Sequence, residues 1–95
     1  MERKEFNAVM SVWENFYALL DTVNLDTGQN IYHKCKLCSY KTKIINNLGE
    51  AEIDKIDSAA ISHVWEHHRE NAEKLAVEYM SRKVAKVMGQ QRLQI

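Results

Sequence analysis

The sequence of 95 residues lacks the features that mark membrane, secreted or strongly charged proteins. No stretch approaches the roughly 20 apolar residues of a membrane span. The opening MERKEFNAVM has neither the apolar core nor the small-residue cleavage site of a signal peptide. Since 13 Lys and Arg balance 13 Asp and Glu, no overall positive field draws the chain to nucleic acid or anionic membranes. We therefore expect an intracellular protein without a membrane partner, cytoplasmic or, if eukaryotic, nuclear.

Cysteine is scarce, since Cys35 and Cys38 are the only two in the chain. They lie three positions apart, too close for a disulfide to close a stabilising loop. This usage is typical of a reducing compartment, where thiols serve metal or redox chemistry. A redox site of the thioredoxin kind is disfavoured, because the pair does not sit at a helix start within a βαβ unit.

Proline is absent, and residues 58–88 contain no glycine either. Apolar residues recur there at helical spacing, which predicts a long helix over 58–88. Gly89 is the expected stop, and 89–95 the expected tail. The acidic stretch before this helix offers Asp54 or Asp57 as its N-cap. The apolar stripe consists of Ile61, Trp65, His68, Ala72, Leu75, Tyr79 and Met80.

The N-terminal part predicts a second helix and a hairpin. Residues 1–23 carry an amphipathic pattern of Phe6, Val9, Met10, Trp13, Phe16, Tyr17 and Leu20, and turn-forming residues follow at 24–30. Residues 31–34 and 39–45 are rich in β-branched and aromatic types and flank the cysteine pair. The predicted fold is mainly α with a short β-hairpin, in one domain over 1–95.

The cysteines and histidines predict a metal site. Two cysteines separated by two residues can place both thiolates on one side of a Zn²⁺ ion. His63 and His67 are four residues apart and lie on one helix face, whereas His63 and His68 differ by about 140° on an ideal helix. The expected ligands are Cys35, Cys38, His63 and either His67, which this geometry favours, or His68. His33 is a weaker substitute ligand, since its strand position is as suited to facing water.

The order strand, cysteine knuckle, strand and two-histidine helix resembles the C2H2 zinc finger family. The matching segments are YHKCKLC at 32–38 and AISHVWEHH at 60–68, within 31–68. The resemblance implies a ββα core, a structural Zn²⁺ and DNA binding. The sequence departs from the family by having 24 residues between Cys38 and His63, where a finger has about a dozen. It also has the small Ala60 where the family has a larger apolar residue, so the first helix is expected to supply the missing burial.

The resemblance gives a weak basis for DNA reading. The helix positions that read bases in the family fall on Ile56, Ala59 and Ser62, none of which makes bidentate base contacts. The helix start is acidic as well and would repel phosphates. Nucleic acid binding through a basic cluster is therefore the alternative function; the cluster is His33, Lys34, Lys36, Lys41 and Lys43, near Tyr32 and Tyr40.

The favoured function is protein–protein interaction by a zinc-stabilised binding protein, regulatory or inhibitory. Four protein ligands would close the metal site, so neither enzymatic activity nor a small-molecule substrate is expected. The aromatic residues of the first helix are types enriched in interfaces, although most should serve the core. The distal part of the long helix is expected to need a protein partner or a second copy of the chain, through Tyr79, Met80, Val84, Val87 and Met88.

Overall fold

The computed structural model describes residues 1–93, and side chains as far as residue 83. Seven main elements follow in chain order: α1 (Arg3–Met10), α2 (Trp13–Leu19), β1 (Leu20–Leu25), β2 (Asn30–Cys35), β3 (Ile45–Asn46), α3 (Glu50–His67) and α4 (Arg69–Leu93). The three strands form an antiparallel sheet in the order β1-β2-β3. The prediction of a mainly α fold with a short hairpin and a long C-terminal helical region is confirmed. Within the described part of the chain, no helix is long and apolar enough to cross a membrane.

The prediction of one continuous helix over 1–23 is wrong. The chain forms two short helices separated at Ser11 and Val12, and then a strand. Side chains compete for the carbonyls at the break: Ser11 Oγ donates to the Ala8 carbonyl at 2.6 Å, and Asn15 Nδ2 donates to the Val9 carbonyl at 2.9 Å. The strand that follows is stabilised by pairing along its length with β2, a tertiary effect that helical periodicity does not report.

The turn expected at 24–30 is present, but it joins two strands. Its centre is a single 3-10 turn over Asp26–Gly28, in which all three residues have positive φ, with Gly28 at 92°. The hairpin around the cysteine pair is also present. Its first arm is β2, and its second arm pairs at Lys41 and at β3. Strand pairing in the second arm is therefore limited to the bridge at Lys41 and to the two residues of β3, and the rest of that arm is loop.

The predicted long helix differs from the structure at its start, its middle and its end. It begins at Glu50, with Gly49 as N-cap, so Asp54 and Asp57 lie inside α3 and neither caps it. At His68 the backbone leaves helical geometry, with φ −133° and ψ 44°, and α4 starts at the next residue. Gly89 does not stop α4, which continues to Leu93.

The main core brings α1, α2, α3 and α4 together over the start of the sheet. Phe6 is fully buried and stacks on Trp65 with ring centroids 5.2 Å apart. Ala60 is also fully buried, so the small side chain is matched by the close approach of α1, as the sequence predicted. A second cluster beneath β2 and β3 joins Ile31, Ile45 and Ile56. Together they fix the end of β2 against α3, where the candidate site lies.

Candidate metal centre

Two thiols and two imidazoles converge where the knuckle meets the end of α3. The donor atoms of Cys35, Cys38, His63 and His68 all lie within 4.8 Å of one another. Cys38 Sγ lies 3.2 Å from Nε2 of His63 and 3.3 Å from Nε2 of His68. Both imidazoles therefore present the same ring nitrogen to the same sulfur. A set of two thiolates and two imidazoles at this separation can hold a metal ion.

Cys35 is the buried member of the group, at the last position of β2. Its backbone N–H donates to the Tyr40 carbonyl at 2.9 Å, which closes the loop, and the Leu37 N–H points at its sulfur with an N···S distance of 3.3 Å. Burial raises the pKa of the Cys35 thiol above its ordinary value of 9.0, and the Leu37 N–H offsets part of that rise. A cation beside the sulfur would favour the thiolate that this buried position otherwise disfavours.

His63 projects from the interior of α3 and is held by Tyr40. The two rings lie 3.9 Å apart between centroids, with planes only 8° from parallel. The pKa of His63 lies below its ordinary 6.5, first because partial burial disfavours the charged imidazolium, and then because His68 and His67 lie nearby. The neutral imidazole that a metal ion requires is therefore favoured at this position.

The fourth donor in the group is His68, where helix geometry had favoured His67. The prediction assumed a regular helix through both residues, and the break at His68 removes that assumption. His67 lies close to His63, with ring centroids 5.0 Å apart, but it is exposed and is not among the four converging donors. Arg69 supports the break, because its Nε donates to the Trp65 carbonyl at 2.9 Å near the end of α3.

His33 lies outside this group and inside the fold. It is 3% exposed, its Nε2 lies 2.5 Å from Asp57 Oδ1, and its Nδ1 lies 2.9 Å from Thr22 Oγ1. His33 neither faces water nor replaces a helix histidine in the group of converging donors. Strand alternation contained the missed signal, since Ile31, His33 and Cys35 are spaced by two and share the buried face of β2.

Two of the three positions that would read bases in a zinc finger are engaged within the fold. Ile56 is buried in the second cluster, and Ser62 accepts a hydrogen bond from the Arg3 guanidinium of α1. Ala59 alone of the three is exposed. His33, a predicted member of the basic cluster on the hairpin, is buried. The remaining members of the cluster, Lys34, Lys36, Lys41 and Lys43, are all exposed, and the Lys41 ammonium lies 5.9 Å from the centre of the Tyr32 ring.

Comparisons of the chain with protein-family models, with curated proteins and with solved structures found no match.

Proposed function

We propose that the chain is a small, non-enzymatic binding protein whose fold is stabilised by one Zn²⁺ ion and which acts by protein–protein interaction. The observation that carries the proposal is the convergence of Cys35, Cys38, His63 and His68 from two separate parts of the chain. The first two residues belong to the hairpin, and the other two to α3 and its junction with α4. A metal held by all four would pin the hairpin to the helices.

The donor set supports zinc over other divalent metals. Structural zinc sites in proteins are four-coordinate and use cysteine and histidine, whereas Mg²⁺ and Ca²⁺ prefer oxygen ligands. With Zn–S near 2.3 Å and Zn–N near 2.0 Å, a tetrahedron separates sulfur from nitrogen by about 3.5 Å. The distances from Cys38 Sγ to the two imidazoles, 3.2 and 3.3 Å, are close to that separation.

Four protein donors favour a structural role for the metal over a catalytic one. Catalytic zinc keeps a coordination position for water or substrate, and four protein ligands leave none in a tetrahedral site. A chain of this size buries a limited core, so a metal that joins two halves of the fold would contribute strongly to its stability.

Exposed apolar side chains support protein as the partner class. Trp13 and Tyr17 of α2 are 56% and 43% exposed and stack on each other, with centroids 5.6 Å apart. On α4, Val77 and Met80 are 61% and 49% exposed. The side chains of Val84, Val87 and Met88, which the sequence assigned to the same surface, lie outside the described residues. Aromatic and methionine side chains of this kind are enriched at interfaces.

Nucleic acid remains the second candidate because of the four exposed lysines on the hairpin, which suit contacts with phosphates. The burial of Ile56 and the bond between Arg3 and Ser62 weigh against base reading from α3 in the manner of a zinc finger. Any such binding would be of the phosphate-dependent kind, which salt weakens steeply.

Two experiments test the proposal. Elemental analysis of the purified chain should find one equivalent of zinc, and chelation should lower the melting temperature; no zinc, or a melt unaffected by chelator, would contradict the metal assignment. Light scattering over a concentration series and capture with immobilised zinc-loaded chain should find self-association or a protein partner. A strict monomer that captures no protein but binds duplex DNA at low salt would favour the second candidate.

A further inference from the structure

A cavity of about 520 Å³ lies on the side of the sheet next to α2, among residues that the metal group does not use. Its lining combines aromatic, acidic and polar side chains. Its lining comprises Trp13, Tyr17, Asp21, Thr22, Asn24, Ile31, His33, Asn47, Ile53 and Asp57. This volume is within the usual range for ligand pockets and is large enough for one long side chain of a partner.

The aromatic part of the lining is formed by Trp13 and Tyr17, whose ring planes differ by 20°. Both side chains remain substantially exposed although the core lies next to them. Two nearly parallel rings at the edge of a cavity present π faces, which attract cations and planar guanidinium groups. A purely apolar occupant would not need the carboxylates that line the same cavity.

The acidic part of the lining is formed by Asp21 and Asp57. Asp21 is 44% exposed, and Lys36 lies 3.5 Å from its Oδ1. Asp57 is 23% exposed and contacts the buried His33 through Oδ1 alone. Among the residues whose side chains the structure describes, neither lysine nor arginine lines the cavity. The cavity therefore offers carboxylate oxygens and aromatic faces, with Lys36 beside one carboxylate and His33 bonded to the other.

A tryptophan–guanidinium stack already occurs elsewhere in this chain. Trp65, the other tryptophan, has the guanidinium of Arg69 over its ring at 3.6 Å. At Trp13, no described residue of the chain provides the equivalent cation. A guanidinium entering from outside would stack on Trp13 and reach the carboxylates, whereas an ammonium would make only the point-charge contact.

We infer that this cavity receives an arginine side chain of a protein partner, with the guanidinium stacking on Trp13, which Tyr17 backs, and Asp21 and Asp57 accepting its hydrogen bonds. The inference rests on the proposed protein-binding function and names the chemistry of the partner at one surface. The site borders the lysine-rich hairpin, since Lys36 lies 3.5 Å from Asp21, but its own charge has the opposite sign.

The test uses the purified chain labelled with ¹⁵N and a capped Gly-Arg-Gly peptide as the probe. The two tryptophans give two indole N–H signals, and Trp13→Phe assigns them. Titration should move the Trp13 signal to saturation and leave the signal of the buried Trp65 in place. The matched peptide with citrulline, which is isosteric but uncharged, should bind at least about 10-fold more weakly, as expected for the loss of a charge-assisted contact.

Two variants give the residue-level control. Asp21→Asn should weaken binding of the arginine peptide several-fold, and Asp54→Asn should not, because Asp54 is an exposed carboxylate of α3 outside the cavity. An unmoved Trp13 signal, equal binding of citrulline, or equal binding by Asp21→Asn would overturn the inference. Methylguanidinium binding as tightly as the peptide would also overturn it, by assigning the cavity to a free small cation.

These outcomes separate the inference from the function on which it rests. A silent Trp13 signal in a chain that still self-associates or captures a protein removes the arginine site alone. A clear Trp13 response in a chain that contains no zinc and captures no protein removes the proposed function and leaves a cation-binding cavity.

Discussion

Tyr40 lies flat against His63, with ring centroids 3.9 Å apart, while its backbone carbonyl accepts the N–H of Cys35. One residue of the hairpin therefore closes the cysteine loop and orients an imidazole of α3. This contact joins the two halves of the metal group. The stacked ring limits rotation of His63 and so prepares its Nε2 for a metal.

Tyr40→Ala should weaken zinc binding, because His63 would regain rotational freedom. An aromatic contact of this kind stabilises by about 0.5–1.5 kcal/mol, which corresponds to roughly a 2- to 13-fold loss of affinity. Competition with a chromophoric chelator measures the change. Tyr40→Phe keeps the stacked ring and should bind zinc as the wild type does; an equal loss in both variants would argue against the ring contact.

His68→Ala and His67→Ala should differ sharply. Removing a ligand should lower zinc affinity by more than about 100-fold, the upper range for losing only an outer-shell partner. His67 is exposed and contributes no converging donor, so its replacement should have little effect. The d–d absorption of Co²⁺ bound in place of zinc distinguishes the ligand sets. Loss of the tetrahedral spectrum in His67→Ala, with His68→Ala unaffected, would reverse the assignment.

Cys38→Ser should destabilise the zinc-loaded chain and leave the metal-free chain almost unchanged. Cys38 is exposed, so in the absence of metal its substitution resembles a surface change, within about 0.5 kcal/mol. With zinc bound, the loss of a ligand should remove much of the stabilisation by the metal. Thermal melts with and without chelator measure both effects. Equal destabilisation in the two states would mean that Cys38 acts by packing alone.

Ala60→Leu should destabilise the fold by about 1–3 kcal/mol, because Ala60 is fully buried and the extra atoms would overpack the core. The neighbouring Ala59 is exposed and supplies the matched control. Ala59→Leu adds the same atoms in solvent and should change stability little. Urea unfolding of the zinc-loaded variants measures the difference. Equal stabilities would show that α1 does not approach α3 closely at this position.

The stability of the metal-free chain should decline on both sides of neutral pH. His63 has a pKa lowered in the folded state, so the unfolded chain binds more protons and stability falls as pH drops below about 6.5, the ordinary value. Cys35 has a pKa raised in the folded state, so stability falls as pH rises above 9.0, where the unfolded thiol ionises first. Melts with chelator present, in His63→Gln and Cys35→Ala, should each flatten one side of the profile.

The sequence predicted the metal donors better than it predicted the path of the chain. The spacing of Cys35 and Cys38 is a local property of one loop, and the histidines belong to one helix end, so each half of the group could be predicted from short-range geometry. Their meeting across 25 to 30 residues was inferred from the donor types alone. The choice between His67 and His68 depended on a helix break at His68. No proline or glycine near His68 signals that break in the sequence. In the structure it occurs together with the hydrogen bond from Arg69 to the Trp65 carbonyl.

The division of the first predicted helix was hidden for a different reason. Phe16 and Leu20 continue a helical pattern, and both are buried, but Leu20 is buried from a strand. Its pairing with Cys35 is a contact between distant residues that no local window contains. The pair of His33 and Asp57 is hidden in the same way, since the local pattern makes Asp57 a helix-cap candidate and its partner lies 24 residues earlier.

Beyond the break at His68, the chain continues as a long helical arm that starts next to the candidate metal group. The arm is α4, whose 25 residues span about 37 Å at roughly 1.5 Å per residue. Rotating that arm by about 10° at His68 would carry its far end through about 6 Å, a distance larger than one helical turn. Because Ala72 and Ala76 are fully buried, packing against the core holds the near part of this arm, and a change of angle at His68 would displace its far end most.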